Sequence, residues 1–150
     1  WRKGGKDISD AFDSVVDCSI GHVLASSVEI LAPTGPVGDG VVMFTQCELE
    51  DGKTQMDAAK TQGAMAGELR KMGAKNASWM FIPMLGGGDI DYDYLSVATF
   101  PNYAEFFAAY DMWVNGGMGA KAMGMYKGVA NCGENTPTVW DVKMVRLPKS

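Results

Sequence analysis

The middle of the chain decides the fold, where residues 77–100 read ASWMFIPMLGGGDIDYDYLSVATF. Two apolar and aromatic runs, residues 77–85 and 91–100, lie on either side of the glycines at 86–88. Runs of this length and composition, bounded by glycine, are typical of β-strands. The triglycine between them predicts a hairpin or a wide turn. We therefore expect two consecutive antiparallel strands at the centre of the domain.

The residues before this pair predict a strand followed by a helix. Residues 41–50 are rich in β-branched and aromatic side chains and end at an Asp-Gly pair, as a strand does. Thr54 and Asp57 then have the spacing of a capping box, and apolar residues recur at helical spacing up to Gly73. We expect a helix over residues 54–73.

The residues after the pair predict a second helix and a last strand. Asn102 precedes Glu105 by three positions, which is typical of a helix start. We expect the apolar stripe of this helix to lie in the core, and it consists of Tyr103, Phe106, Phe107, Tyr110, Trp113 and Val114. A short helical piece at about residues 119–130 follows, and residues 138–147 alternate as a strand.

This order is β-α-β-β-α-β, the split βαβ or ferredoxin-like arrangement. It predicts the α+β class, with a four-stranded antiparallel sheet and both helices on one face. The other face of the sheet would carry Trp79, Phe81, Tyr92 and Tyr94 or their neighbours. A large apolar surface in water is unfavourable, so we expect a second sheet to cover it.

The domain boundaries follow from a proline- and glycine-rich segment. Residues 32–40 hold two prolines and three glycines, which predicts a linker, and residues 41–150 form the complete domain. Residues 1–31 align without gaps to the end of the chain, with Cys18 on Cys132 and residues 27–31 on 141–145. We interpret them as the C-terminal remnant, a helix plus a strand, of a first repeat. The alternative is an N-terminal helix and an edge strand that extends the sheet.

The element order resembles that of the dimeric α+β-barrel superfamily, which includes antibiotic-biosynthesis monooxygenases and stress-responsive A/B-barrel proteins. The closest local pattern is Ser78–Pro83, a glycine turn, Asp93–Val97, and Phe100–Tyr103 leading into a helix. The resemblance implies two sheets joined into a barrel, between chains or between tandem repeats, with a pocket between sheet and helices. Some catalytic members carry histidines at positions where this chain has none, since its single histidine is His22.

The charge of the chain indicates which classes of partner are not expected. Thirteen basic residues against eighteen acidic ones give a net charge of −5, and no run of basic residues is present. Nucleic acid and membranes are therefore not expected as partners. We expect a homo-oligomer or a tandem-repeat partner domain, with a small hydrophobic ligand as a further possibility and no cofactor.

Two groups of residues could form a covalent bond or bind an ion. Cys47 and Cys132 fall near neighbouring strand ends, so they could form a disulfide, and otherwise all three cysteines are free thiols. A disulfide would favour an exported or otherwise oxidising compartment. Asp89, Asp91 and Asp93 alternate at a strand start. They are either solvated or, as weaker candidates, ligands for a cation.

Two functions remain open. The first is a non-catalytic binding or assembly module that associates through its sheet face. The second, implied by the resemblance, is a cofactor-free monooxygenase or isomerase acting on a small hydrophobic substrate. Candidate pocket residues are Trp79, Phe81, Tyr94 and Trp113. Asp93 and Tyr94 are the best catalytic candidates, because a carboxylate that is buried among aromatic rings has the raised pKa of a general base.

Overall fold

The computed structural model describes residues 23–36, 38–86, 90–133 and 136–143. These ranges form an α+β fold with one antiparallel sheet of six strands and three helices. The elements in chain order are β1 (Val23–Leu31), β2 (Gly40–Leu49), α1 (Gln55–Lys71), β3 (Ala77–Gly86), β4 (Tyr94–Phe100), α2 (Tyr103–Val114), α3 (Met118–Tyr126), β5 (Ala130–Asn131) and β6 (Thr138–Val142).

The first two helices begin at the residues that the sequence predicts. The hydroxyl of Thr54 accepts a hydrogen bond from the Asp57 amide at 3.3 Å, and the Asp57 carboxylate accepts one from the Thr54 amide at 3.1 Å. This reciprocal pair is a complete capping box. At α2, the Asn102 side chain accepts from the Glu105 amide at 3.0 Å. Each cap satisfies backbone donors that have no partner within the helix.

The sheet has six strands where the sequence predicts four. In space the strands run β1-β3-β4-β2, and both β5 and β6 pair with the remaining edge of β2. One extra strand is β1, which hydrogen-bonds along the outer edge of β3. The other is β5, which begins at Ala130 although the sequence predicts a helical piece over about residues 119–130; that helix, α3, ends at Tyr126. Residues 132–137, which include Gly133 and Pro137, separate β5 from β6. Proline removes a donor from the ladder, so it disfavours a continuous strand.

Two further boundaries differ from the prediction. β4 begins at Tyr94, three residues after the predicted start at Asp91. β6 ends at Val142, and most of the predicted remainder, residues 144–147, lies outside the described residues. Residues 1–22 also lie outside the described residues, so nothing tests the helix that the sequence predicts there. The repeat origin of residues 1–31 stays a prediction, and their strand, β1, extends the sheet at its edge.

The core lies between the sheet and the helices, in two clusters. One joins Val41 and Phe100 to residues of all three helices, among them Leu69, Phe106 and Met118. The second cluster contains Cys47, Ala58, Met80, Tyr94 and Ala130. Because side chains alternate along a strand, these contacts assign one face of the sheet to the helices.

Candidate functional site: the open face of the sheet

The face opposite the helices is covered by no element of the described ranges. Its members follow from the strand register, because directly paired residues share a face. We call this surface the open face, and it comprises Ser27, Glu29, Val42, Phe44, Gln46, Ala77, Trp79, Phe81, Leu95, Val97, Thr99, Thr138, Trp140 and Val142. It runs across β1, β3, β4, β2 and β6.

The centre of the open face is apolar and aromatic. The rings of Phe44 and Phe81 lie 6.2 Å apart, measured between centroids. Val97 lies between Phe44 and Trp79 in the register and is only 2% exposed. Towards the β6 edge, Trp140 is 61% exposed. An apolar surface of this extent is typical of an interaction site.

A groove of about 650 Å³ runs along the open face beside β2. Its apolar and aromatic lining consists of Phe44, Tyr92, Leu95, Trp140 and Val142. Its polar lining consists of Gln46, Thr136 and Thr138, all of them uncharged. Of these residues, the sequence predicts Tyr92 for the uncovered face of the sheet. Phe44, Gln46, Leu95, Thr136, Thr138 and Val142 were missed, and Thr138 and Val142 enter the groove only through the pairing of β6 with β2.

The four predicted pocket residues do not share one pocket. Trp79 and Phe81 lie on the open face, whereas Tyr94 pairs with Cys47 on the helix side and is fully buried. Trp113 lies on α2, outside the sheet. The register separates Tyr94 from Trp79 because residues 94 and 97 of β4 point to opposite faces.

The two catalytic candidates have separate surroundings. Asp93 is exposed, and its carboxylate accepts a hydrogen bond from the Leu49 amide at 2.6 Å. The Tyr94 hydroxyl lies 3.5 Å from the sulfur of Cys132. Burial, and next the charge of Asp93, raise the pKa of Tyr94 above its ordinary value. Tyr94 is therefore a neutral phenol at neutral pH. Asp93 instead accepts a hydrogen bond from the amide of the last residue of β2.

A second tyrosine, the partly buried Tyr126, lies beside this pair. Burial raises the pKa of Tyr126, the neighbouring Tyr94 raises it further, and a hydrogen bond with Ser96 partly offsets the rise. Tyr126 packs against the same buried cluster as Tyr94. The Tyr94 hydroxyl contacts the Cys132 sulfur and the Tyr126 hydroxyl bonds with Ser96, so each hydroxyl has a partner between sheet and helix.

Cys47 and Cys132 form a disulfide, with their Cα atoms 4.2 Å apart. The bond joins β2 to the residue that follows β5, and it links positions 85 apart in the chain. Of the two alternatives that the sequence left open, the bridge is the one present. Cys18 lies outside the described residues.

The aspartates predicted as weak metal candidates remain untested as a set. Asp89 lies outside the described residues, Asp91 is exposed, and the carboxylate of Asp93 bonds to Leu49. Within the described ranges, no three His, Cys, Asp or Glu side chains come together as a metal site would require.

The prediction that the whole apolar stripe of α2 lies in the core is wrong. Phe106 packs into the core, but Phe107 and Tyr110 are 61% and 56% exposed. Tyr103 and Val114 are also exposed. The stripe is too wide for one buried face, because Phe106 and Phe107 are adjacent in sequence and point in different directions from the helix axis. The outer side of α2 is thus a second apolar surface.

No family model matches the chain, and neither a curated protein nor a solved structure matches it. Among the helices in the described part of the chain, none is both long and apolar enough to cross a membrane.

Proposed function

We propose that this chain is a non-catalytic assembly module of the α+β-barrel type, in which two copies pack their open faces against each other. The uncovered apolar surface of the sheet carries this proposal. Burying it against a second copy would remove apolar area from water, which is the main driving force of association. The strand order β3-β4-β2, followed by the last strands, supports a ferredoxin-like unit with an added edge strand.

The size of the open face fits a dimer interface. Five strands spaced about 4.8 Å apart and about eight residues long span roughly 19 Å by 26 Å. That is a flat area of roughly 500 Å², and side-chain relief increases the accessible area towards the ~800 Å² that each partner buries in a standard interface. A second sheet of the same dimensions is a partner of matching shape.

The uncharged centre of the open face is compatible with a second copy as its partner. Each chain has a net charge of −5, so two copies repel each other at most orientations. Among the strand residues in the register of this face, Glu29 at the β1 edge and Glu48 at the far end of β2 are charged. Two copies meeting through the neutral centre would keep these carboxylates at the rim, where water solvates them.

The mass of the native chain in solution tests the proposal. One chain has a mass of 16.1 kDa, and light scattering should return twice that value. Phe81→Glu places a carboxylate in the centre of the open face and should weaken the dimer at least about thirtyfold, as the loss of an interface hot spot does. Phe107→Glu makes the same substitution on the exposed side of α2 and should leave the mass unchanged.

Two results would contradict the proposal. One is a native chain that stays monomeric at every concentration measured. The other is a dimer that survives Phe81→Glu and dissociates in Phe107→Glu, since that would assign the interface to α2.

A further inference from the structure

We propose that the groove beside β2 binds an uncharged planar aromatic molecule that carries a hydrogen-bonding group. One chain supplies all of the groove's lining, so the inference does not rest on the assembly role. Six of the eight lining residues belong to the open face, so the ligand and a second copy compete for this surface.

The dimensions of the groove suit a ligand of this kind. Its volume of about 650 Å³ lies within the range of about 300–1,000 Å³ that is usual for small-molecule sites. Phe44 and Leu95 come from the neighbouring strands β2 and β4 and line it on the sheet. Phe44 pairs with Thr138 on β6, and Trp140 lies two residues further along β6 on the same face. Trp140 is therefore diagonal to Phe44 across the two strands. An aromatic ring entering here would meet rings that favour stacked or edge-to-face contact.

The polar residues of the groove are all neutral. Gln46 offers an amide, and Thr136 and Thr138 offer hydroxyl groups. The side-chain amide of Gln46 makes no hydrogen bond to a residue of the described ranges, so both its donor and its acceptor are available to a ligand. A charged ligand would give up hydration here without gaining an opposite charge, which is unfavourable. The lining therefore selects a neutral ligand with a hydroxyl or amide group.

Exposed aromatic residues alone do not make this site. The outer side of α2 presents Tyr103, Phe107 and Tyr110, which are at least as exposed as most of the groove. Residues 103–114 of that helix include no Thr, Asn or Gln. It provides a matched control, because Phe107 and Trp140 are each 61% exposed.

The test compares two probes that share one ring system. At pH 7, 2-naphthol is neutral and 2-naphthoate is an anion. Binding is measured by NMR on the full chain carrying Phe81→Glu, so that no second copy covers the groove, with the Trp140 indole N–H as the reporter. We expect saturable one-to-one binding of 2-naphthol and much weaker binding of 2-naphthoate. Trp140→Ala and Gln46→Leu should each raise the Kd of 2-naphthol about fivefold or more, as the loss of an aromatic or hydrogen-bonded contact does.

Ligand-observed saturation transfer gives the Kd for the variant that lacks Trp140. Trp140→Phe keeps a ring and should restore part of the affinity, whereas Phe107→Ala should leave the Kd unchanged. Binding of 2-naphthol that does not saturate, equal affinity for both probes, or an equal effect of Phe107→Ala would each overturn the proposal.

The Phe81→Glu variant separates this inference from the assembly role. Phe81 does not line the groove, so a monomeric Phe81→Glu chain should still bind 2-naphthol. A monomeric Phe81→Glu chain that does not bind 2-naphthol would refute the ligand site alone. A chain that binds it but never dimerises would refute the assembly proposal alone.

Discussion

Phe44 and Phe81 meet across β4, their ring centroids 6.2 Å apart, although their strands β2 and β3 do not pair. Strands two positions apart in a sheet are separated by about 9.6 Å. The two rings therefore lean over the intervening strand β4, on which Val97 is flanked by Phe44 and Trp79. The open face is thus a continuous apolar layer, which is what a surface needs in order to pack against another sheet.

The disulfide should contribute measurably to stability. It closes a loop of 85 residues, so replacing both Cys47 and Cys132 with alanine should lower the free energy of unfolding by about 2–4 kcal/mol. Denaturant titration of the native chain and the double variant measures the difference.

The thiol count provides the control for the disulfide. The chain has three cysteines, so the unfolded, unreduced native protein should titrate as one thiol. Three titratable thiols, or a native stability that does not respond to a reductant, would contradict this prediction.

Gly40 lies where the backbone of β4 approaches β2. A Cβ atom added at this position would lie 2.7 Å from the carbonyl oxygen of Phe100, which belongs to the backbone and cannot rotate away. We expect Gly40→Ala to destabilise the fold by about 1–3 kcal/mol, as overpacking does. Gly38→Ala is the matched control, because a Cβ there meets nothing within 4 Å. Equal denaturation midpoints for the two variants would refute this prediction.

Glu68 should make stability depend on pH in the acid range. Hydrogen bonds from Lys121 of α3 and then Lys71 of α1 lower the pKa of Glu68 from 4.5 to about 2. A carboxylate with a depressed pKa stabilises the fold above its unfolded pKa, and this contribution disappears as the pH falls towards the folded pKa. We therefore expect Glu68→Gln to be less stable than the native chain near pH 6 and nearly equal to it near pH 2.

Chemical denaturation of both chains at several pH values measures this dependence. Lys121 has the larger effect on the pKa of Glu68. Replacing it in Lys121→Ala should therefore move the acid transition to higher pH than in the native chain. A stability difference between native chain and Glu68→Gln that stays constant from pH 6 to pH 2 would be inconsistent with the ion pairs.

Local features could be predicted from the sequence because neighbouring residues determine them. Thr54 and Asp57 cap α1 through contacts three residues apart, and Asn102 does the same at α2. Cys47 and Cys132 could be paired because the predicted strand order places the first and last strands side by side. Spacing was enough for the two caps, whereas strand order made the bridge possible and left free thiols as the alternative.

Long-range features could not be predicted in the same way. The strand β1 alternates like other strands, but only its pairing with β3 shows that it enlarges the same sheet. The side on which Tyr94 lies depends on the residue at which β4 begins, since a shift of one position exchanges the two faces. Phe107 and Phe106 have the same hydrophobicity, and only the packing of α2 decides which of them is buried.

The central claim is that two chains meet through their open faces, and photo-crosslinking from Trp79 tests it most directly. Trp79 pairs with Val97 in the register of this face, so Trp79→p-benzoylphenylalanine places the crosslinker at its centre. Irradiation should yield a covalent dimer whose crosslinks map to open-face residues such as Phe44 or Val97 of the second copy. The same photo-reactive residue at Phe107 should yield no dimer. Crosslinks from position 79 that stay within one chain, or that reach the helices of the second copy, would contradict the account.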